Sequence, residues 1–133
     1  MMLFVCDRNS SLSPMAEAIC RDLFPQYIVQ SAGLRTSHVR PLVKEVLREV
    51  DIDDFGLLSK DIFSVDLTEV SYVIGLGMPD SAWRLPRRFA IEWWVLPDPS
   101  CFSKEDQLDG YRALRDELQR RIQTFVSDKP SPL

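Results

Sequence analysis

The 133-residue chain is long enough for one domain, which at this size buries roughly two-thirds of the surface that its unfolded chain exposes. Its residues are 45% hydrophobic and 27% charged, a composition typical of globular proteins. The formal net charge of −4 argues against a nucleic-acid partner, which usually requires a basic face. No apolar run approaches the roughly 20 residues of a membrane span, and the N-terminus lacks a secretion signal. We therefore expect a cytoplasmic protein without a membrane partner.

The three cysteines, Cys6, Cys20 and Cys101, are too few and too widely spaced to indicate a disulfide framework or a zinc site. Cys20 falls on an apolar helix face, so we expect it to be a small buried hydrophobe. The single histidine, His38, has no ligand cluster around it and is expected to be an exposed loop residue. The basic cluster at residues 84–88 is expected to be a solvated loop. The sequence therefore predicts no metal and no cofactor.

The hydrophobic pattern predicts strands that alternate with helices along the chain. Short apolar or β-branched runs predict four strands, over residues 2–5, 27–33, 72–76 and 89–96. The remaining segments predict helices over residues 14–24, 40–50, 64–70 and 104–126. This alternation favours an α/β fold with a four-stranded parallel sheet and helices on both faces. We expect a single domain over residues 1–126 and a short tail over residues 127–133.

The first predicted strand is followed by a polar loop and by a helix that is expected to begin at Pro14. A strand, a loop and a helix N-terminus in this order make an anion site, because loop N–H groups converge there and the helix dipole adds positive charge. A cysteine at the end of the strand, where Cys6 stands, would face that site as a stabilised thiolate and act as a nucleophile. The residues alone also allow Cys6 to be only a small residue at the end of a strand.

The segment from Cys6 to Pro14 resembles the signature of the low-molecular-weight protein tyrosine phosphatases and the related thioredoxin-coupled arsenate reductases. In that signature a cysteine after an apolar strand attacks an oxyanion, and an arginine six residues later binds the oxyanion. Cys6, Asn9, Ser13 and Pro14 are in register with it. The resemblance implies a flavodoxin-like fold and a nucleophilic Cys6. It also implies that the oxyanion-binding loop consists of Asp7, Arg8, Asn9, Ser10, Ser11, Leu12 and Ser13.

Three positions of this segment depart from the signature. Arg8 replaces a glycine, Ser11 replaces a frequent second cysteine, and Leu12 replaces the oxyanion-binding arginine. Because leucine has no donor for the oxyanion, the resemblance implies impaired or lost phosphatase turnover. Arg8 is one possible substitute, although the second position of such a loop should point away from the bound group. No later segment of the sequence offers an obvious replacement.

Two further segments resemble the same families. Residues 31–33, Ser-Ala-Gly, match the turn that closes the second strand beside the oxyanion loop. Residues 94–99 match an element whose aspartate, here Asp98, is the general acid that protonates the leaving oxygen of a phosphomonoester. In a parallel sheet, Cys6 and Asp98 would both lie beyond the carboxyl ends of the strands, where such folds bind ligands.

Three functions are compatible with these residues. The first is a phosphatase-like hydrolase of a phosphorylated protein or small molecule, with Cys6 as nucleophile, Asp98 as acid and an impairment at Leu12. The second is a pseudophosphatase that binds a phosphorylated ligand or protein partner without turnover, and the third is a plain structural domain. Arsenate reduction is disfavoured, since the related reductases relay a disulfide through cysteines after the third strand and residues 74–83 contain none. We expect Cys101 to be a bystander thiol; the sequence leaves the oligomeric state open.

Overall fold

The computed structural model describes residues 1–77 and 91–128 and has the predicted α/β architecture. Its strands and helices, in chain order, are β1 Met2–Cys6, α1 Leu12–Leu23, β2 Val29–Gly33, α2 Pro41–Arg48, β3 Tyr72–Leu76, β4 Ile91–Trp94 and α3 Gln107–Ser127. The basic cluster at residues 84–88, the start of the predicted fourth strand and the tail after residue 128 lie outside the described residues. In the described ranges, no helix is both long and apolar enough to cross a membrane.

The four strands form one sheet in the order β2–β1–β3–β4, and all neighbouring strands are parallel. Cys6 at the end of β1 pairs with Gly33 at the end of β2, and Val5 pairs with Gly75 in β3. The chain leaves β1 for the neighbour on one side and later returns to the neighbour on the other side, so the strand order switches at β1. Ligands of such sheets bind beyond the carboxyl ends of the strands at this switch. The predicted sheet is confirmed, and the switch lies beside Cys6.

Apolar side chains cover both faces of the sheet. The larger core joins all three α-helices to β1 and β3, with Phe4 and Ile74 from the strands and Leu118 from α3. A smaller core on the other face joins Leu3, Val5 and Val73 to Ile62 and Val65, which lie between α2 and β3. Among the described residues, the α-helices therefore share one face, and the segment before β3 covers the other.

That segment corrects the helix predicted at residues 64–70. Two 3₁₀ turns, Ile62–Ser64 and Leu67–Glu69, occupy this part of the chain. The carboxylate of Asp61 accepts a hydrogen bond from the second N–H of the first turn at 2.8 Å, and Asp66 does the same for the second turn at 3.0 Å. Because aspartate side chains that bond nearby N–H groups compete with a continuous helix, the segment forms two short turns.

Glu49, at the C-terminal end of α2, joins α2 to α3. Its carboxylate accepts hydrogen bonds from Arg112 at 2.6 Å and from Arg115 at 2.8 Å, and Arg115 also donates to the carbonyl oxygen of Val46 at 2.9 Å. The hydrogen bonds from Arg112 lower the pKa of Glu49 to about 2, with Arg115 contributing in the same direction and burial opposing both. The ionised carboxylate is therefore stabilised by folding.

We expect Glu49→Gln to lower the thermal unfolding midpoint at neutral pH. A carboxylate with a lowered pKa stabilises the fold above its unfolded pKa, and this stabilisation is lost as the pH falls through the folded value. The difference in midpoint between wild type and Glu49→Gln should therefore shrink as the pH falls from 4.5 to about 2, measured by circular dichroism. Glu45→Gln, at an exposed position one turn earlier, is the control and should melt like the wild type. A difference that persisted at the acid end would contradict this account.

Candidate functional site

A cavity of about 730 Å³ opens at the carboxyl edge of the sheet, within the size range of small-molecule sites. The loop between β1 and α1 and the segment after β4 form much of its wall. The lining includes Cys6, Arg8, Leu12, Arg40, Asp98 and Cys101. The two residues predicted to be catalytic, Cys6 and Asp98, therefore line one cavity.

The thiol of Cys6 lies at the end of β1 among hydrogen-bond donors of the loop. Its Sγ is 2.9 Å from the hydroxyl oxygen of Ser13, and the backbone N–H groups of Ser13, Asn9 and Arg8 also donate to it. Burial raises the pKa of Cys6 above its ordinary value, and these hydrogen bonds oppose the increase without cancelling it. Cys6 is therefore largely protonated at neutral pH, although the donors that stabilise a thiolate are in place.

We expect alkylation of Cys6 by iodoacetamide to be slow at pH 7 and to accelerate about tenfold per pH unit up to about pH 8, because only the thiolate reacts. Ser13→Ala removes a hydroxyl that lowers the pKa of Cys6 and should slow the reaction throughout this range. Ser10→Ala, in the same loop, removes a hydroxyl without a hydrogen bond to Sγ and serves as the control. Mass spectrometry of the modified peptide gives the rate at Cys6 alone. A rate that levelled off below pH 8 would refute the raised pKa.

Side-chain hydrogen bonds hold the loop in shape. Asn9 has a φ of 51°, a left-handed conformation that asparagine adopts more readily than most residues. Its amide nitrogen donates to the hydroxyl oxygens of Ser13 at 2.8 Å and Ser31 at 2.9 Å. Its amide oxygen accepts from the backbone N–H of Lys60 at 2.8 Å. Asn9 thus connects the loop to β2 and to the segment after α2, and none of these bonds involves Leu12.

Gly33, the last residue of β2, lies against the same loop. A Cβ at this position would be 2.6 Å from the carbonyl oxygen of Arg35 and 2.7 Å from the backbone nitrogen of Asn9, and no real Cβ tolerates such distances. Glycine is therefore required where β2 ends beside the loop, as the Ser-Ala-Gly pattern suggests. Arg35 also forms two hydrogen bonds to the carboxylate of Asp7, at 2.7 and 3.2 Å, on the exposed side of the loop.

Leu12 and Arg8 occupy different environments in the cavity wall. Leu12 is the first residue of α1, is 4% exposed and packs in the larger core, so it gives the cavity an apolar surface without a donor. The side chain of Arg8 is 52% exposed, and its Nε lies 3.9 Å from the carboxylate of Asp7. Of the two loop positions, only Arg8 brings a charge, and it does so at a half-exposed position.

Asp98 follows β4 and is partly buried. Its Oδ1 accepts a hydrogen bond from the backbone N–H of Ser100 at 2.9 Å, which starts the 3₁₀ turn Pro99–Cys101. This turn also carries Cys101, an exposed free thiol, to the wall of the cavity. Asp98 is thus both the cap of a turn and a carboxylate at the cavity.

The sequence pattern does not identify Arg40 and Tyr111 as residues that contact the oxyanion loop. It places Arg40 at the start of a helix and Tyr111 in the apolar stripe of the last helix. In the structure, the backbone N–H of Arg40 donates to the carbonyl oxygen of Ser10 at 2.9 Å, and Arg40 is among the residues that line the cavity. The hydroxyl oxygen of Tyr111 lies 2.8 Å from that of Ser11. Both contacts join the loop to a helix that is distant in sequence, so no local pattern predicts them.

The predictions for His38 and Cys20 are confirmed. His38 is exposed in the loop before α2. Cys20 is fully buried, and burial raises its pKa to about 12. Across residues 1–77 and 91–128, no group of three or more His, Cys, Asp or Glu side chains is arranged to hold a metal ion.

Comparison with known proteins gives matches that cover nearly the whole chain. Residues 1–129 match the family model described as low molecular weight phosphotyrosine protein phosphatase. The chain is 32% identical to a glutaredoxin arsenate reductase from Synechocystis sp. over 95% of each chain. It resembles a solved arsenate reductase in the phosphate binding state, with 31% identity, a TM-score of 0.81 and 95% of each chain covered. A tyrosine phosphatase from Erwinia amylovora shares the fold, with a TM-score of 0.84 at 17% identity over 98% of this chain and 93% of that one.

Proposed function

The chain belongs to the low-molecular-weight phosphotyrosine protein phosphatase family, and from that premise we propose that it binds a phosphate-type oxyanion and hydrolyses phosphomonoesters slowly. Cys6 is the nucleophile, Asp98 is the general acid, and the substrate is a phosphorylated protein or small molecule. One observation carries the proposal: a thiol surrounded by loop donors and a carboxylate line the same cavity.

In the first step, the thiolate of Cys6 attacks phosphorus. The P–S bond forms, the P–O bond of the ester breaks, and Asp98 gives its proton to the leaving oxygen. In the second step, Asp98 takes a proton from the water that attacks the phosphocysteine. The new P–O bond forms, the P–S bond breaks, and inorganic phosphate leaves while Ser13 stabilises the released thiolate.

Two features make this turnover slow. The raised pKa of Cys6 leaves little thiolate at neutral pH, so the nucleophile is rarely in its reactive form. Leu12 adds no donor to the charge that builds on the phosphoryl oxygens in the transition state. The loop N–H groups still provide an anion site. A related structure described as an arsenate reductase in the phosphate binding state supports a tetrahedral oxyanion as the ligand.

Arsenate reduction is the second candidate, favoured by the names of the relatives and by the presence of Cys101 in the same cavity. In this reaction the thiolate of Cys6 displaces a hydroxyl of arsenate, which leaves as water, so that an S–As bond replaces an As–O bond. A second thiol then attacks the sulfur of Cys6. The S–As bond breaks with its electron pair going to arsenic, arsenite leaves, and the two thiols are oxidised to a disulfide. Because residues 74–83 hold no relay cysteine, Cys101 or an external thiol must be the second thiol.

Hydrolysis of 4-nitrophenyl phosphate by wild type, Cys6→Ser and Cys101→Ser tests the proposal. We expect slow turnover that Cys6→Ser abolishes, because the serine hydroxyl is a far weaker nucleophile than a thiolate. Turnover that survived in Cys6→Ser would overturn the proposal. Absence of turnover in a wild type that still binds phosphate would instead favour the pseudophosphatase. Arsenite formation that needs both Cys6 and Cys101 would favour the second candidate, since hydrolysis needs only the first of these thiols.

A further inference from the structure

Arg40 is fixed at the edge of the oxyanion loop by its own backbone. It immediately precedes Pro41, the first residue of α2, in an extended conformation with φ −66° and ψ 137°. Its N–H donates to the carbonyl oxygen of Ser10 at 2.9 Å, so a rigid helix start is bonded directly to the loop. Arg40 is one of the residues that line the cavity, together with Cys6 and Asp98. A cationic side chain is thus placed at the site by an element other than the loop.

The side chain of Arg40 has a donor that the protein does not use. Its Nε is buried, and within the described ranges it is the one buried side-chain nitrogen or oxygen without a hydrogen-bond partner. The two other arginines beside the loop differ, because Arg35 and Arg8 face the carboxylate of Asp7 at 2.7 and 3.9 Å. A buried donor is normally paired, so an arginine that lines the cavity and leaves this donor unused indicates an acceptor that comes from outside the chain.

The charges of Arg40 and Asp98 act on the same phenol. Burial is the main cause that raises the pKa of Tyr111; the charge of Asp98 adds to the increase and the charge of Arg40 opposes it. The hydroxyl of Tyr111 is in turn 2.8 Å from the hydroxyl of Ser11 in the loop. The charges of Arg40 and Asp98 are therefore both felt at a phenol that contacts the loop, and both residues line the cavity that holds Cys6.

We propose that Arg40 binds the oxyanion in place of the loop arginine that is absent at Leu12. This inference rests on the proposed function, because it assigns the charge that holds the ligand of that same site. A guanidinium offers parallel N–H donors to two oxygens of a phosphate group and remains charged at every working pH. Arg40 extends from α2 rather than from the loop that surrounds the transferred group. Its effect should therefore fall on affinity and KM more than on kcat.

Calorimetric titration with inorganic phosphate tests the binding role directly. We expect Arg40→Gln to weaken phosphate binding about tenfold or more, since a charged pair of donors is lost. Arg48→Gln is the matched control, because Arg48 lies at the other end of α2, where it pairs with Asp54 at 3.0 Å, and carries the same charge change. Equal phosphate affinity in wild type and Arg40→Gln would overturn the inference.

The preference of Cys6 for a negatively charged alkylating agent gives a second readout that requires no turnover. A cation in the cavity that holds Sγ favours iodoacetate over the neutral iodoacetamide, so the ratio of the two rates should fall several-fold in Arg40→Gln. Arg40→Lys keeps the charge but not the planar pair of donors. It should keep the iodoacetate preference and lose phosphate affinity, and it also serves if Arg40→Gln folds poorly. A ratio unchanged in a folded Arg40→Gln protein, or lost in Arg40→Lys, would count against Arg40.

The two proposals fail in different ways. If the wild type binds phosphate through Arg40 but never hydrolyses an aryl phosphate, hydrolysis is wrong and the role of Arg40 stands. If turnover requires Cys6 while phosphate affinity and KM are the same in Arg40→Gln, the role of Arg40 is wrong and hydrolysis stands.

Discussion

Leu12→Arg is expected to raise the turnover of 4-nitrophenyl phosphate by on the order of 10²–10³, the usual effect of one preorganised donor to a developing charge. Leu12 already lines the cavity as the first residue of α1, so a guanidinium there starts from the edge of the oxyanion loop. Its charge would also lower the pKa of Cys6 and increase the thiolate fraction at neutral pH. Steady-state kinetics and the pH profile of Cys6 alkylation measure both effects.

The comparison needs a control for size and polarity, because Leu12 is 4% exposed and packs in the larger core. Leu12→Gln places a polar, uncharged side chain there, longer than leucine and shorter than arginine, and should not accelerate turnover. Thermal unfolding of both variants reports the cost of placing a polar group at a buried position. A folded Leu12→Arg protein with wild-type turnover would show that the absent arginine does not limit the reaction.

Asp98→Asn is expected to slow the hydrolysis of phenyl phosphate by about 10²–10⁴, the usual contribution of a general acid. The loss in kcat/KM, which reports the step in which the ester bond breaks, should be much smaller for 4-nitrophenyl phosphate, because 4-nitrophenolate is a stable leaving group that does not need a proton. The contrast between the two substrates is best measured in the Leu12→Arg background, where turnover is expected to be faster. It separates proton donation from any loss of structure, since a damaged site slows both substrates alike.

Asp66→Asn is the matched control for this experiment. Asp98 and Asp66 each cap a 3₁₀ turn, with Oδ1 accepting a backbone N–H at 2.9 and 3.0 Å respectively. Asp66 does so in the segment before β3, on the face of the sheet that carries the smaller core, and is not part of the cavity lining. We expect Asp66→Asn to change stability alone. Asparagine keeps the oxygen that caps the turn, so equal losses of kcat/KM on both substrates in Asp98→Asn would mean that the negative charge of Asp98, and not its proton, is what matters.

Much of the fold can be predicted because its strands and helices have strong local patterns. The predicted third strand has the same bounds as Tyr72–Leu76, since a β-branched apolar run there fills a central strand. The start of α1 is less well predicted, because the helix begins at Leu12 and Pro14 is its third residue. The N–H groups of the first helical turn have no partner within the helix, so proline, which has no N–H, fits any position of that turn. Its presence therefore locates the first turn but not the first residue.

The candidate site likewise has some residues that the sequence identifies and others that it does not. Cys6 and Asn9 are recognisable from one sequence motif and Asp98 from another, and the structure brings Cys6 and Asp98 to one cavity. Arg40 and Tyr111 are not recognisable, since their roles depend on contacts with Ser10 and Ser11 that only tertiary packing creates. Helical periodicity describes the environment of such residues along their own helix and contains no information about a loop that approaches from elsewhere.

The hydrogen bonds of Asn9 have a consequence for how this protein can be altered. They join the loop to Ser13, Ser31 and Lys60 and bypass position 12, so the shape of the loop is held by residues other than the one on which we expect turnover to depend. A substitution at position 12 therefore acts on a receptor that is already assembled. We therefore expect holding an anion and converting it to be separable properties of this scaffold, with the side chain at position 12 governing the second.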